Sequence, residues 1–416
     1  MIALLRQRNF GLLWFGGLIS MMGDWMLRIA LPAYVFELTG STLATGAMFI
    51  AGMVPNLLLG SVAGVFVDRW NRRRTMIVVN LILATVLLPL PLVRSVESLW
   101  LVYVVAFAQS VVGQFFGPAE NALLPTLVNE EHLLTANSLN ALNNNLARLI
   151  GPALGGATAL ALGLSGVALI DAGTFLIAAL LIGLIRHEET PPTKTADTEK
   201  VSLTAVWYEW AAGLRVIRHE NLIAKLFAIE AIVAIGEGIV SVLFVPFVTE
   251  VLRGEALELG WLMSAQAVGG LLGGMLVARI GARIEPRRLL GPCAILFGLV
   301  DLAIFNYPAF FPGFAIALVL FVIVGLPGAA FSASFFTLLQ SNVEDRYRGR
   351  VFGALNTTFA LLTLVGMGLA SVAGDRAGIV PVINVQGYGY VVAGALAWLW
   401  LGLKMTLPDK SAQSQA

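Results

Sequence analysis

The 416-residue chain is 58% hydrophobic and 12% charged, where soluble globular chains carry about 25% charged residues, so polar surface is too scarce to cover it in water. A net charge of +1 gives no electrostatic basis for binding nucleic acid. The single cysteine, Cys293, excludes an internal disulfide; His132, His187 and His219 lie far apart in polar segments, so no metal centre and no cofactor are expected.

The chain opens with "MIALLRQRNFGLLWFGGLIS", in which Arg6 and Arg8 precede an apolar run that continues to Leu38 without a small-residue cleavage site. This predicts an uncleaved first membrane helix rather than a removed signal. Apolar runs of about 20 residues, enough to span a bilayer, number about twelve. They fall near 10–38, 43–67, 75–93, 99–119, 138–162, 166–185, 222–250, 258–280, 288–306, 312–339, 351–373 and 387–405. The polar stretch after the sixth, "RHEETPPTKTADTEK", has the Pro, Thr and charge content of a linker. The following "VWYEWAAGLRVIRHE" has the pattern of an amphipathic helix lying on the membrane surface. The expected fold is all-α and membrane-embedded. A six-helix bundle over 1–186 is joined by a cytoplasmic linker, 187–221, to a second six-helix bundle over 222–416.

Lys and Arg set the orientation. With the N-terminus inside, the inner face receives Arg6, Arg8, the arginines of "VFVDRWNRRRTMIVV" (65–79), the basic linker residues, and Arg279, Arg283, Arg287, Arg288, Arg346, Arg348, Arg350, Lys404 and Lys410. The outer face receives only Arg94, Arg253 and Arg376. Both termini are therefore expected in the cytoplasm of a cell with a bacterial-type inner membrane.

The halves repeat. "GDWMLRIALP" from Gly23 parallels "GEGIVSVLFVP" from Gly236, Gly60 falls on Gly274 and Gly113 on Gly328, the last two at offsets of 214 and 215. Parallel repeats about an axis along the membrane normal are a transporter architecture, with the site between halves near the midplane. "GGLLGGMLVARIG" is not a phosphate loop, because no strand precedes it; helix packing through Gly270 and Gly274 is expected instead.

The run Gly64-x-x-x-Asp68-Arg69-x-x-Arg72-Arg73 resembles the loop 2–3 signature of the major facilitator superfamily. Together with helix count, linker and half-repeat, the resemblance covers the whole chain. "FFGPAENALLPTLVNEEHLLTANSLNALNNNLARLIGPALGG" is similar to the multidrug and macrolide-efflux branch, which includes enterobactin-type exporters. The resemblance implies that Asp68 docks near residues 350–353 at the start of the eleventh helix when the cytoplasmic side closes, as a carboxylate favours a helix N-terminus. It further implies that Arg72 pairs with an acid of the fourth helix, here Glu120, and that Gly64 permits close packing. The alternative is a turn that serves topology alone. Asn71 replaces the motif's Gly and tolerates left-handed geometry. Ala282 and Pro286 replace the Asp and Arg in the second half, so no latch is expected there. Gln109 stands where many proton antiporters of the family carry Arg. The antiporter pattern of the fifth helix survives as Gly151-Pro152-x-x-Gly155-Gly156, although plain helix packing would give the same pattern.

Charge inside a spanning helix costs about 2.5–3.5 kcal/mol on insertion scales and marks function. Asp24, Arg28, Arg148, Asp171, Glu230 and Glu237 fall inside spans. Asp24 and Glu237 occupy matched repeat positions. Asp24 is either paired with Arg28, one turn on, or a site for a proton or a cationic substrate. Glu230, Ala234, Glu237 and Ser241 share a helix face, and Glu237, with no cation on its own helix, is read as facing a watery cavity, the alternative being a structural pair. Asp171 is expected to pair across helices, and Asp301, near a helix end, to be solvated. Asn137, Asn140, Asn144 and Arg148 form a polar stripe facing the cavity or bonding between helices. Met21, Met22, Trp25, Met26, Phe115, Phe116, Phe331 and Phe335 are candidates for a pliable apolar wall.

The pattern contains no ATPase motif and no nucleophile–base pair, so an enzyme is not expected. The expected activity is proton-coupled export of amphipathic or cationic drugs by alternating access, with a small-molecule substrate, protons and the lipid bilayer as partners and the chain acting as a monomer. A dedicated exporter of one metabolite, such as a siderophore, is the transport alternative; a non-transporting receptor is the alternative of another class.

Overall fold

The computed structural model describes residues 2–67, 69–186, 220–281 and 284–402. Asp68, the predicted linker and its amphipathic helix, Arg283, Lys404 and Lys410 lie outside them. The described residues are almost entirely helical. After a short turn at Ile2–Leu5 come α1 (Arg8–Thr39), α2 (Thr42–Val67) and α3 (Arg72–Leu87). Helix α4 is built in two segments, Trp100–Gly113 and Phe116–Leu127. One helical run, Leu133–Gly183, is long enough to span twice; Gly163, at φ 64° and ψ −172°, breaks it into α5 (133–162) and α6 (164–183). That backbone geometry costs glycine little and other residues much. The second half holds α7 (Asn221–Pro246), α8 (Ala256–Ile280), α9 (Pro286–Asn306), α10 (Phe314–Asn342), α11 (Asp345–Ala377) and α12 (Ile379–Ala397). Eleven apolar stretches among the described residues are long enough to cross a membrane, and one of them is the α5–α6 run, which gives two six-helix bundles.

Backbone polar groups must be satisfied within the chain in lipid, which is why helices account for the spans. The ends are closed by local chemistry. Gly40, at φ 60°, ends α1 and donates its N–H to Phe36 O. Asn71 caps α3: its Oδ1 accepts from Arg74 N at 2.8 Å. Its φ of −67° and ψ of 114° are extended, so the left-handed geometry that asparagine tolerates is not used there.

The first bundle is filled by Leu27, Val35, Leu83, Val102 and Phe175 toward one end and by Phe10, Leu13, Met76, Leu123 and Leu139 toward the other. The second is filled by residues such as Phe247, Leu262, Leu290, Phe335 and Ile383, and α1 inserts Ile29, Ala33 and Phe36 into that same cluster. Leu180, Val319 and Leu399 stand exposed on the outside, where lipid is the natural solvent. The bundles meet along α5–α8 and α2–α11. In α8 the packing glycines are Gly269 and Gly273, not Gly270 and Gly274. A Cβ on Gly273 would lie 2.6 Å from Leu326 O of α10, whereas the flanking pair have open space on their own Cβ side.

Candidate functional site

Asp24, midway along α1, is partly exposed and accepts a hydrogen bond at 3.1 Å from Gln109 Nε2 of α4. The expected pairing with Arg28 does not close. The Arg28 guanidinium instead lies over the Trp25 ring, 5.0 Å from its centroid, and reaches Asp24 only as a longer-range attraction. Asp171 of α6 is fully buried and abuts Gly23, the residue before Asp24. Thr174 Oγ1 donates to Asp171 O at 2.7 Å and lies 3.1 Å from Asp171 Oδ1, while Asp171 Oδ2 has no hydrogen-bond partner. Among the described residues no ion pair across helices is formed by Asp171; the neighbouring charge is that of Asp24.

The second bundle repeats this geometry with different chemistry. Glu237 of α7 accepts from Tyr390 OH at 2.8 Å and from Gln386 Nε2 at 3.1 Å, both on α12. Gly236 abuts Gln386 as Gly23 abuts Asp171. Glu230, two turns earlier on α7, repels Glu237, and Arg148 of α5 attracts it from the other bundle. Asp301 is not solvated: it is 5% exposed, its Oδ2 has no partner, and Glu237 acts on it. Tyr390 is clamped by Phe297, ring centroids 4.2 Å apart, and by Phe331 at 5.8 Å.

On α5 the asparagines divide. Asn140 Nδ2 donates to Glu120 Oε1 at 3.3 Å, so Asn140 is the hydrogen-bond partner the structure gives Glu120. Asn144 Nδ2 returns to Asn140 O at 3.4 Å, and Asn137, Asn144 and Arg148 are exposed. Asn143, not among the expected residues, is buried and ties α5 to α1 through Trp14 O at 2.9 Å. Of the apolar candidates, Phe335 is 1% exposed inside the second bundle's core, and Phe115 stacks on Trp70 of the arginine-rich turn at 5.8 Å. Met26 is buried against Gly155, and Trp25 packs on Gly151 beneath Arg28.

The α5 glycines are contact points. A Cβ on Gly151 would sit 2.5 Å from Trp25 Cβ, and one on Gly155 would sit 2.6 Å from Met26 Cα, both on α1. Gly156 meets Ala256 and Leu257 of α8, while Gly260 of α8 meets Pro152. The motif thus joins α1, α5 and α8 across both bundles.

The two ends of the molecule differ. At the end away from the arginine-rich turn, Thr42 N donates to Asp375 Oδ1 at 3.0 Å, Ser41 Oγ to Asp375 Oδ2 at 3.3 Å, and Thr42 Oγ1 to Ser371 O at 3.1 Å. Gly46 abuts Ser371, and Gly374 abuts Thr42. At the arginine end, Gly64, Gly349 and Gly353 have nothing among the described residues within 4 Å of a Cβ position, so among those residues the close packing expected at Gly64 is not made in this conformation. Arg69 is exposed, and Arg73 binds α6: Nε donates to Ile182 O at 3.1 Å, and a second nitrogen donates to Gly183 O. Arg8 adds Leu184 O at 3.2 Å. Cations thus cap the C-terminus of α6.

These features define a polytopic membrane protein of two helical bundles, each holding embedded acids, with the bundles hydrogen-bonded to each other at one end. Its sequence matches the Major Facilitator Superfamily over residues 13–234 and 226–416, and the chain belongs to that family. It is 29% identical over 414 residues to the uncharacterized MFS-type transporter YfiS of Bacillus subtilis, covering 95% of this chain and 92% of that one. It is 29% identical over 378 residues to the multidrug efflux pump Tap of Mycolicibacterium fortuitum (88% and 90% covered), and 26% identical over 375 residues to macrolide efflux protein A of Streptococcus pyogenes (89% and 90%). In fold it is similar to a bacterial homologue of the iron transporter ferroportin in an inward-facing state, with a TM-score of 0.74 at 16% identity over 94% of this chain and 98% of that one. A bacterial homologue of the human lysosomal transporter Spinster, inward-facing and unoccupied, gives 0.69 at 15% identity over 95% and 96%. The family makes the chain a multi-pass membrane transporter with a small-molecule substrate, not an enzyme.

Proposed function

We propose that the chain exports amphipathic or cationic small molecules in exchange for protons, by alternating access between bundles spanning 1–186 and 222–416. The observation that carries this reading is the matched pair Asp24 and Glu237. Both are partly exposed near the middle of corresponding helices, and Arg148 of the first bundle acts on Glu237 of the second. A carboxylate reachable from the space between bundles can hold a proton or a cation, but not both, which is the chemistry of exchange. The efflux function in the names of two relatives supports the substrate class. The driving force suffices: an inward proton is worth about 2.3 kcal/mol per 100 mV plus about 1.4 kcal/mol per pH unit.

In this reading the arginine-rich end and both termini face the cytoplasm of a bacterial-type cell, and the monomer is the working unit. The seam at Thr42 and Asp375 is the closed outer gate. The inner gate closes when Asp68 docks at the start of α11, with Arg69, Arg72 and Glu120 ordering the turn. Helix α2 then meets α11 at either end in alternation.

Proteoliposomes test this. A macrolide, a lipophilic cation dye and a catecholate siderophore are each offered under an imposed pH gradient, which is then collapsed. Flux of the macrolide or dye that stops with the gradient is the expected result. Flux of the siderophore alone identifies a dedicated metabolite exporter, and binding without flux identifies a receptor; either outcome overturns the drug–proton reading.

A further inference from the structure

We propose that Gln386 and Tyr390 hold one oxygen of Glu237 so that the other is presented alone to a protonated amine, and that the chain therefore takes cations bearing an N–H in preference to permanently methylated ones. This rests on the exporter reading and names the cationic group its substrates carry. Three observations carry it.

The first is the unequal use of one carboxylate. Glu237 Oε1 accepts from Tyr390 OH at 2.8 Å and from Gln386 Nε2 at 3.1 Å. A carboxylate oxygen has about two lone-pair sites, so Oε1 is filled. Oε2 accepts no hydrogen bond from the described residues and is not enclosed, and Glu237 is partly exposed. Among the described residues Glu237 forms no ion pair. The second is the rigidity of the clamp. Gln386 and Tyr390 stand one turn apart on α12 and so reach the same stretch of α7. The Tyr390 ring is held by Phe297 and Phe331, and Gln386 lies against Gly236. Helix α12 is itself bound to α9: Asn306 Nδ2 donates to Asn384 Oδ1 at 2.8 Å, and Asn384 Nδ2 to Asn306 Oδ1 at 3.1 Å. Along the same crossing, a Cβ on Gly298 would lie 2.4 Å from Gly387 O, and one on Gly394 2.7 Å from Gly291 O. Donors seated this firmly fix the direction in which Oε2 is offered. A charge-assisted N–H bond depends on direction and benefits from that preorganisation. A quaternary ammonium has no N–H and gains only the undirected attraction.

The third is the internal repeat. At the offset of 215, the places of Gln386 and Tyr390 are held in the first bundle by Asp171 and Phe175, and neither donates a hydrogen bond to Asp24. Asp24 instead has a single donor, Gln109 Nε2 of α4, at 3.1 Å. The two-donor clamp therefore belongs to the second bundle and is not a by-product of the fold, which both bundles share. Of the two matched acids, Glu237 is the one whose free oxygen is aimed.

The test is equilibrium binding, to the purified full chain in lipid, of two probes that share one apolar body: a lipophilic dimethylamine, protonated at the working pH, and its N-methylated quaternary salt. Wild type is expected to bind the amine roughly tenfold more tightly, the scale of one hydrogen bond to a charged group. Glu237→Gln is expected to bring the ratio of the two affinities close to one. Tyr390→Phe and Gln386→Met, each close to isosteric, should shrink the ratio several-fold by weakening the amine more than the salt, whereas a merely structural role would lower both together. Either of these variants suffices if the other folds poorly. Equal binding of the probes by wild type, tighter binding of the salt, or binding of neither would overturn the proposal. A ratio kept in the folded clamp variants but lost in Glu237→Gln would overturn it too. Because no gradient is imposed, failure here is distinguishable from failure of the efflux reading, which the flux panel decides.

Discussion

Asp375 Oδ1 accepts the backbone N–H of Thr42 at 3.0 Å, so the last turn of α11 caps the first turn of α2 across the boundary between bundles. A carboxylate at a helix N-terminus satisfies orphan N–H groups and meets the positive end of the helix. Removing it in Asp375→Ala should weaken this gate by about 0.5–2 kcal/mol, roughly two- to thirty-fold in the closed-to-open ratio. Spin labels at Arg94 and Phe310, on opposite bundles at this end, should report a larger share of long distances. An unaltered distribution would mean that the seam holds without its cap.

Glycines of the two motifs should respond oppositely. Gly155→Val forces a side chain into Met26 of α1 and should lower stability by about 1–3 kcal/mol, visible as an earlier thermal transition. Gly64→Ala meets nothing within 4 Å in this conformation and should leave that transition in place. If Gly64 does become a crossing point when the arginine end closes, the alanine variant should still transport more slowly. Normal turnover in Gly64→Ala would remove the crossing from the cycle.

Arg73→Ala strips donors from the carbonyls of Ile182 and Gly183. Loss of a cation at a helix C-terminus is typically worth about 0.3–1 kcal/mol, up to about 2 when partly buried. A lowered thermal transition should therefore accompany any loss of flux. A variant that stays fully stable yet inactive would place Arg73 in gating alone.

Tyr390→Phe keeps the aromatic contacts with Phe297 and Phe331 but deletes the 2.8 Å bond to Glu237. If Glu237 holds the cationic group of the substrate, Glu237→Gln should suppress transport of the lipophilic cation dye far more than that of a neutral macrolide analogue. Tyr390→Phe should shift the dye's KM while leaving folding intact. Equal loss for charged and neutral compounds in Glu237→Gln would rule out that role.

The spans were legible because a bilayer imposes a length on apolar runs, and the half-repeat was legible because matched glycines and acids survive at nearly constant offsets. Facing was harder to read. In a helix apolar all round, nothing in the pattern distinguishes Gly270 from Gly269, and packing chose the latter. The partners of embedded acids were set by helices remote in sequence: Gln109 looked like a missing arginine and is the donor to Asp24, while Asp301 sat near a span's end and is buried. Gln386 and Tyr390 were overlooked, although projecting Asp171 through the repeat offset lands on Gln386. The capping role of Asn71 was not foreseen, because an asparagine before a helix serves as a cap as readily as it turns left-handed.

At the Thr42–Asp375 end the bundles touch through Gly46, Ser371, Gly374 and Thr42, each glycine's main chain close against a hydroxyl side chain of the other bundle. A water molecule needs roughly 10–15 Å³ of probe-occupied space and several polar partners. A seam this fine leaves little room for the file of waters along which protons hop. In the proposed cycle the smallness of these residues has an electrical consequence: a closed end that insulates would let a cell stock its membrane with this protein without short-circuiting the voltage across it.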